Sequence, residues 1–469
     1  MVYPKSARAR PGSGHNEKAT VTQIFSSEEF RRVQGQTGKS LVIVGLGYVG
    51  LPLCRVFSSE GFKVSGVDSD HAKLEMLLSG KSPVSVLTDS ELGTLFHEEF
   101  KVYSDFSPVS NADVILLALP TPIGENREPD LSALVGALSS IAKHLSKKSL
   151  IVIESTVGPG TTVDTLLPHL EHAGKELGTD FLLAFSPERV DPGGNTGPVQ
   201  HIPKIVAGVD PESHAAAVEF YQSAGFTVVE SHSVAEAEAA KLLENTYRAV
   251  NMALVNELAP ALSAMGLDIA EVVRLAATKP FGFQPFFPGA GVGGHCIPID
   301  PWYLESAIQK VGGQSRITRM ALLVNEDMPR AVAKRIAHLL EYQPKQPGIV
   351  RDVLLLGMTY KPNVDDFRES PGPKVALALH DLGLSVGYHD PFLEKSLPEL
   401  NGLPTSSDFL ADVSAYRAVV VLQDHEQYEP LRSHDRPALW WASADSSNGQ
   451  PSLWGAEAMS APVSEDVAS

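Results

Sequence analysis

A short β-branched run, Ser40–Val44, leads directly into Gly45-Leu46-Gly47-Tyr48-Val49-Gly50. Leu51–Phe57 then reads as a helix with Pro52 in its first turn, where a missing N–H costs little. A second strand, Lys63–Val67, ends at Asp68. Strand, G-x-G-x-x-G, helix, strand and acid in that order constrain the fold more than any other stretch. They specify a βαβ unit that holds a dinucleotide at a helix N-terminus. Gly45 allows the tight turn, Gly47 lets the backbone approach a pyrophosphate, and Gly50 lets the helix sit close on the strand. Asp68 is placed to accept hydrogen bonds from the adenosine ribose and to repel a 2′-phosphate, which favours NAD over NADP.

With 469 residues the chain is too long for one typical core, so two or three domains are expected. A formal net charge of −18 argues against a nucleic-acid partner. Two cysteines exclude a disulfide framework and suit a reducing compartment. The N-terminal residues lack the apolar core of a signal peptide, and the run at Val114–Leu119 is far too short to span a bilayer. A soluble, cytoplasmic protein is therefore expected. Gly38-Lys39-Ser40 is not a phosphate-binding P-loop: Val33 occupies the first glycine position and a strand, not a helix, follows.

Residues 1–38 read as a flexible extension with a short amphipathic helix around Glu28–Val33. Further strands at Asp113–Leu119, Leu150–Glu154 and Phe181–Phe185 each end in a polar turn. Ligands lie beyond the carboxyl ends of such strands, which makes Thr121 and Thr156 candidates for ligand contact. On the same argument Glu188 and Arg189 are candidate acid–base and anion-binding groups. Val234–Gly266 is helical, with Lys241, Asn245 and Arg248 on one face. A long helix from Tyr303 to Leu340 is expected to bend near Gly312-Gly313 and Pro329. Two such helices suit domain linkage and dimerisation. From Asp352 a second α/β pattern begins, with strands at Val353–Leu356, Ser385–Tyr388 and Ala418–Leu422 and a helix at Pro373–Leu382. It lacks the fingerprint, and Lys361 and Arg368 follow its first strand. The expected architecture is α/β: doubly wound, Rossmann-like parallel-sheet domains at 39–233 and 346–445, a helical region at 234–345 between them, and a disordered tail at 446–469.

Between the long helices lies Gly289-Ala-Gly-Val-Gly-Gly-His-Cys-Ile-Pro-Ile-Asp300. Glycines let backbone N–H groups approach a ligand, so this loop is suited to wrapping a substrate and presenting Cys296 as nucleophile. Taken alone, it reads first as a glycine-rich surface loop that happens to contain a thiol, and the rest of the chain has to decide. Cys54, on the fingerprint helix, reads as a packing thiol.

Together with Pro120-Thr121-Pro122, Glu154-Ser-Thr-Val157, Ser186-Pro-Glu-Arg189, Lys241-Leu-Leu-Glu-Asn245 and Asp366-Phe-Arg-Glu-Ser370, these stretches resemble the nucleotide-sugar 6-dehydrogenases, a group that includes UDP-glucose and UDP-N-acetylhexosamine dehydrogenases. The resemblance runs from about Leu41 to Asp445. It implies that NAD takes two hydrides in succession from C6 of a UDP-sugar, giving the uronic acid. Such a reaction needs a thiolate to hold the aldehyde as a thiohemiacetal, which becomes a thioester that water hydrolyses. By resemblance Cys296 is that nucleophile, and Lys241 and Asn245 stabilise the C6 oxyanion. Asp300 with Thr156 positions a water or tunes the thiol, and Glu188 acts on that water. Tyr48, Val49, Asp68, Lys73, Thr121 and Thr156 are implied to line NAD. Arg189, Val190, Lys241, Asn245, Arg248, Gly293 and Lys361 are implied to contact the UDP-sugar, and Arg368 either ligand. Lys73 stands where many relatives carry arginine, and Asp445-Ser446-Ser447-Asn448 lacks their arginine before the asparagine. Ser-Pro-Glu-Arg, Gly-Gly-His-Cys-Ile-Pro-Ile-Asp, Thr278–Gly289 and Ile202-Pro-Lys204 resemble UDP-N-acetylglucosamine dehydrogenases most, with UDP-N-acetylmannosamine next and UDP-glucose further off. His295 reads as a packing or hydrogen-bonding residue, and no metal is expected. A homodimer or higher homo-oligomer is expected. The competing readings are a two-electron NAD-dependent hydroxyacid or sugar dehydrogenase with Cys296 structural, and a non-catalytic nucleotide-sugar-binding regulator.

Overall fold

The computed structural model describes residues 38–124, 126–190, 199–341, 348–393, 396–433, 439–441 and 452–455. The expected N-terminal extension with its helix at 28–33, and Asp445-Ser446-Ser447-Asn448, lie outside the described residues. Strands β1 (Ser40–Val44), β2 (Lys63–Val67), β3 (Lys101–Tyr103), β4 (Val114–Leu117), β5 (Ser149–Ile153), β6 (Phe181–Phe185), β7 (Lys204–Gly208) and β8 (Val228–Glu230) form one sheet. Its order is β3-β2-β1-β4-β5-β6-β7-β8, so the first six strands have the doubly wound order.

Successive side chains of β1 enter different cores. Leu41 and Ile43 join Leu51, Leu53 and Phe57 of helix α1 (Gly50–Ser59). Val42 and Val44 join Leu134, Leu138 and Ile141 of helix α2 (Ser132–His144). Strands covered on both faces must be apolar throughout, which explains the unbroken runs in β4, β5 and β6. The sheet is the expected parallel one except at a single pairing, where β6 and β7 run antiparallel.

Helix α3 (Pro211–Ser223) leads through β8 to α4 (Val234–Ala264), a 31-residue helix whose N-terminus is capped by Ser233, the hydroxyl accepting from the Glu236 N–H. After the glycine loop come α5 (Asp300–Lys310) and α6 (Arg316–Glu341). The expected continuous helix from Tyr303 to Leu340 is thus two. Gly312, at φ +77°, ends the first, whereas Pro329 sits inside the second without ending it.

The second sheet comprises β9 (Arg351–Leu356), β10 (Val386–His389), β11 (Tyr416–Val421) and β12 (Leu439–Trp441), all parallel in the order β10-β9-β11-β12. Helix α7 (Pro371–Asp381) starts behind Ser370, which caps it. Val353 and Leu355 of β9 pack on Val332 and Ile336 of α6, while Leu354 and Leu356 face Val419, Val421 and Tyr428. Leu453 and Trp454 are fully buried in the former core, and Arg335 Nε donates to the Leu453 carbonyl at 3.2 Å. Residues 452–455 therefore depart from the disordered tail expected over 446–469. Burying two such side chains is worth several kcal/mol, enough to fix a short segment that composition alone marks as polar.

Candidate active site

The fingerprint glycines do three different things. A Cβ on Gly45, at φ +97°, would meet the Ala118 carbonyl oxygen at 2.4 Å, and one on Gly50 would lie 1.8 Å from the Gly45 oxygen. A Cβ on Gly47 would meet nothing within 4 Å. The space in front of Gly47 is what a pyrophosphate needs, with Val49 as the residue preceding α1. Asp68 Oδ2 accepts from the Leu46 N–H at 2.9 Å and from Lys73 Nζ at 2.6 Å, and Oδ1 from the Asp70 N–H at 2.9 Å. Partial burial opposes its charge, but Lys73 and the two backbone donors hold its carboxyl below the usual carboxylate range. A fixed carboxylate at this strand end suits a ribose diol and repels a phosphate. Asp68→Ala is expected to weaken NAD binding about tenfold and to relax discrimination against NADP, read by fluorescence titration with both cofactors. An unchanged cofactor preference refutes the ribose assignment.

The loop after β9 reaches this fingerprint from the second domain. Tyr48 Oη donates to the Asp365 carbonyl, and the Arg368 guanidinium lies 4.9 Å from the Tyr48 ring centroid. Arg368 is also forked onto Asp366, with Nη2 to Oδ2 at 2.6 Å. Burial, then Asp366 and Asp365, push the Tyr48 phenol up to about 12. Arg368 therefore stands at the seam between the fingerprint and the second domain.

The glycine loop packs on the same segment. A Cβ on Gly293 would come within 2.6 Å of Tyr360 Cβ, and one on Gly294, at φ +81°, within 2.8 Å of the Tyr360 ring. The Gly294 N–H donates to the Arg368 carbonyl at 3.0 Å. In the structure these two glycines make room for the second domain, a use that the ligand-wrapping expectation did not include. His295 is half-buried, and burial followed by Arg368 lowers its basicity.

From here the chain turns into α5. The Cys296 carbonyl accepts from the N–H groups of Ile299 (3.1 Å) and Asp300 (2.8 Å), which puts the thiol just ahead of the helix N-terminus. Cys296 opens to solvent, yet the protein crowded around its thiol limits hydration. That desolvation pushes the thiol up. Lys241 and Arg368 pull it down, and Asp300 and Glu188 push it up. Lys241 and Asn245, one turn apart on α4, face this region, with Asn245 Nδ2 donating to Asp300 Oδ2 at 2.5 Å.

Burial raises Asp300 to about 6, against the pull of Lys241 and the Asn245 amide. The folded chain thus holds this proton more tightly than the unfolded chain. Its contribution makes stability fall as pH rises from about 4 to about 6, by about 3 kcal/mol in all, and stay level above that. Either form can accept from Asn245 through Oδ2, and the ionised form does so more strongly and is the one able to take a proton. Activity (kcat/KM) is expected to fall as pH drops through about 6, and Asp300→Asn should remove that limb and most activity. A wild-type profile that is flat across pH 5–7 refutes this.

Glu188 follows β6, and its Oε1 accepts from the Arg189 and Val190 N–H groups, both at 2.6 Å. Behind it is a buried cluster that hydropathy does not announce. Lys204 Nζ lies 2.6 Å from Glu154 Oε2 and 3.4 Å from Glu188 Oε2, and Tyr221 Oη donates to Glu154 Oε1. Burial raises Glu154. In Glu188 burial is outweighed by Lys204, the two backbone donors and Lys241, which hold it below the usual carboxylate range. In the sequence each stands only as a charge beside an apolar strand, Glu154 after β5 and Lys204 at the start of β7, with nothing to show that the two pair.

Other candidates are less converged. Arg189 is forked onto Glu244 of α4, at 2.5 and 3.1 Å, and donates to the Pro203 carbonyl. Arg248 is exposed. Thr121 is buried and its carbonyl accepts from Tyr303 Oη at 2.9 Å. Thr156 is half-buried in a loop that Glu238 ties to α4 through the N–H groups of Gly160 and Thr162. Lys361 is half-buried in the loop after β9. Among the described residues no group of three or more His, Cys, Asp or Glu side chains is arranged to hold a metal ion. No described helix is long and apolar enough to cross a membrane.

A dinucleotide fingerprint, a second Rossmann-like sheet and a thiol loop between them are the parts of a dinucleotide-dependent dehydrogenase. Family models match at residues 39–224, 235–327 and 354–439, corresponding to the NAD-binding, central and UDP-binding domains of the UDP-glucose/GDP-mannose dehydrogenase family. The chain belongs to this family and is an NAD-dependent UDP-sugar dehydrogenase. It is 34% identical over 405 residues to a UDP-N-acetyl-D-mannosamine dehydrogenase of Methanocaldococcus jannaschii, covering 85% of this chain and 88% of that one. It is 33% identical over 397 residues to a UDP-N-acetyl-D-glucosamine 6-dehydrogenase of Pseudomonas aeruginosa, covering 83% and 92%. A solved UDP-glucose dehydrogenase from Pyrobaculum islandicum superimposes with a TM-score of 0.78 at 25% identity, covering 87% and 95%.

Proposed function

We propose that the protein oxidises C6 of a UDP-N-acetylhexosamine, with UDP-N-acetylglucosamine as the leading substrate, to the uronic acid in two successive oxidations at one site. The observation that carries this is the placement of an accessible thiol in the field of Lys241, with Asn245 hydrogen-bonded to Asp300 beside it. A two-electron dehydrogenase has no need of such a thiol. NAD, held at the fingerprint by Gly45, Gly47, Gly50 and Asp68, supplies the hydride acceptor for both oxidations. Lys241 and Asn245 stabilise the C6 oxygen as it gains negative charge; losing one such donor costs about 3 kcal/mol of transition-state stabilisation. Cys296 adds to the aldehyde carbon, and its S–H proton passes to the former carbonyl oxygen. The resulting C–S bond keeps the aldehyde from leaving before the second oxidation yields a thioester. Water then cleaves the C–S bond, with Glu188 and Asp300 as the carboxylates able to take its proton. Arg189, Arg248 and Lys361 are the cations proposed for the substrate.

UDP-N-acetylmannosamine is the second reading, supported by the Methanocaldococcus relative. A panel of UDP-sugars assayed for NADH, with products identified by mass, separates the two. Two NADH per sugar and a product 14 mass units heavier than the substrate are expected, since CH2OH becomes COOH. One NADH per sugar sinks the proposal.

We also propose that the enzyme works as a homodimer through α4. Leu243, Tyr247, Leu254 and Leu258 leave an exposed apolar stripe along it, with Ile317, Met320 and Leu323 exposed on α6. Sedimentation equilibrium giving the mass of a single chain would count against it.

A further inference from the structure

The loop from Lys361 to Arg368 links three things: the fingerprint through Tyr48, the thiol loop through Gly294, and the second sheet. One buried ring sits at its root. His425, just beyond β11, is 1% exposed, flanked by the rings of Phe392 and Tyr428 at 5.4 and 5.5 Å. Its Nδ1 accepts from the Asn363 N–H at 2.9 Å, so in the neutral ring the proton is on Nε2. That N–H points at Asp390 Oδ2 (3.2 Å) and Thr359 Oγ1 (3.0 Å). Thr359 Oγ1 in turn donates to the Lys361 carbonyl at 3.2 Å. Asp390 is immobilised from behind, its Oδ2 accepting from the N–H groups of Met358 (2.6 Å) and Thr359 (3.0 Å) and its Oδ1 from Phe392 (2.9 Å).

A Thr–His–Asp grouping invites a nucleophile reading, but the geometry rejects it. Thr359 is fully buried, and the nitrogen facing it carries the proton that a base would need to be without. The ring instead grips both ends of one tight turn, Lys361 through Thr359 and Asn363 directly. Asn363 stands at φ +59°, a left-handed conformation that Asn tolerates better than other non-glycine residues but that still costs more than it does for glycine. It is held twice, because its own Oδ1 accepts from the Glu426 N–H at 3.0 Å.

We infer that His425 is a positioning residue for the substrate: fixed in one tautomer by Asp390, it locks the Lys361–Asn363 turn and so presets the Lys361–Arg368 loop for the nucleotide half of the UDP-sugar. The inference rests on the reading that the second domain holds that half.

Calorimetry with UDP on the full chain tests it. His425→Gln is expected to weaken UDP binding about tenfold and to raise KM for the UDP-sugar far more than it lowers kcat. Asn363→Gly alone should weaken UDP less than about threefold, because glycine adopts the turn without being held. Added to His425→Gln, it should restore about threefold or more of the lost affinity. A purely structural histidine predicts otherwise: UDP and NAD affinity and Tm decline together, and the added glycine restores nothing. That result, or unchanged UDP affinity in His425→Gln, overturns the inference. If that variant does not fold, Thr359→Val removes the hydroxyl that joins His425 to the Lys361 carbonyl, while Asp390 and Asn363 still hold the ring. A raised KM with kcat retained is expected there, and an unchanged KM overturns the inference. Failure of the wild-type chain to bind UDP at all would sink the nucleotide-site reading itself, and this inference with it.

Discussion

Replacing Cys296 with alanine is expected to abolish uronic acid formation, by at least about 10³-fold in kcat, while NAD affinity stays within about twofold of wild type. The separation of effects follows from the layout. Cys296 sits ahead of α5, whereas the cofactor fingerprint is built from β1, α1 and β2. The Asp365–Arg368 segment touches both regions, and its contacts to Tyr48 and Gly294 use the Asp365 and Arg368 carbonyls and the Arg368 guanidinium, not the thiol. Tritiated sugar or product mass read alongside NADH would reveal whether one oxidation survives without the thiol. Full acid production in the alanine variant would remove the nucleophile role.

The largest expected stability effect belongs to a residue that touches no reacting atom. Lys204 is 4% exposed and is shared by two carboxylates. Lys204→Met would leave Glu154 and Glu188 facing one another in a poorly hydrated space, at a cost of about 3–5 kcal/mol in urea unfolding of the first domain. It should also raise Glu188, because the strongest of the influences holding it down is removed. Lys204→Met combined with Glu154→Gln relieves one of the stranded charges and should recover part of the loss, a non-additivity read from the double-mutant cycle. A loss below about 1 kcal/mol for Lys204→Met would mean that the cluster is not the buried ion group described here.

These two sites were not equally legible. The fingerprint was, because each of its glycines encodes a backbone constraint in its own identity: left-handed φ at Gly45, contact at Gly50, free space at Gly47. The strands covered on both faces were also plain, as unbroken apolar runs. The short edge strands β3 and β8 were not, since three partly exposed residues carry no usable period. Gly312-Gly313 was visible as an irregularity, but whether two glycines bend a helix or end it depends on what the flanking segments pack against. The glycines before Cys296 show the opposite limit. Their identity announces close approach, but not whether the approaching group is a ligand or, as here, the Tyr360 ring. Lys204 with Glu154, and His425 with Asn363, were illegible for one shared reason. Each pairing joins residues about 50 or more positions apart, and a buried polar partner leaves no periodic trace in the chain.

Trp454 bears on the order in which the chain takes shape during synthesis. Every strand of the first sheet precedes residue 231, so that sheet is complete in chain order well before the second begins. The second core, by contrast, contains Trp454 against Ile336 and Val353 and closes only once that side chain has emerged. N-terminal domains fold first as a chain is made, and here the cofactor half acquires its form while the nucleotide half still lacks a wall. A nascent chain arrested shortly before residue 452 should therefore present a protease-resistant first domain beside a readily cleaved second one.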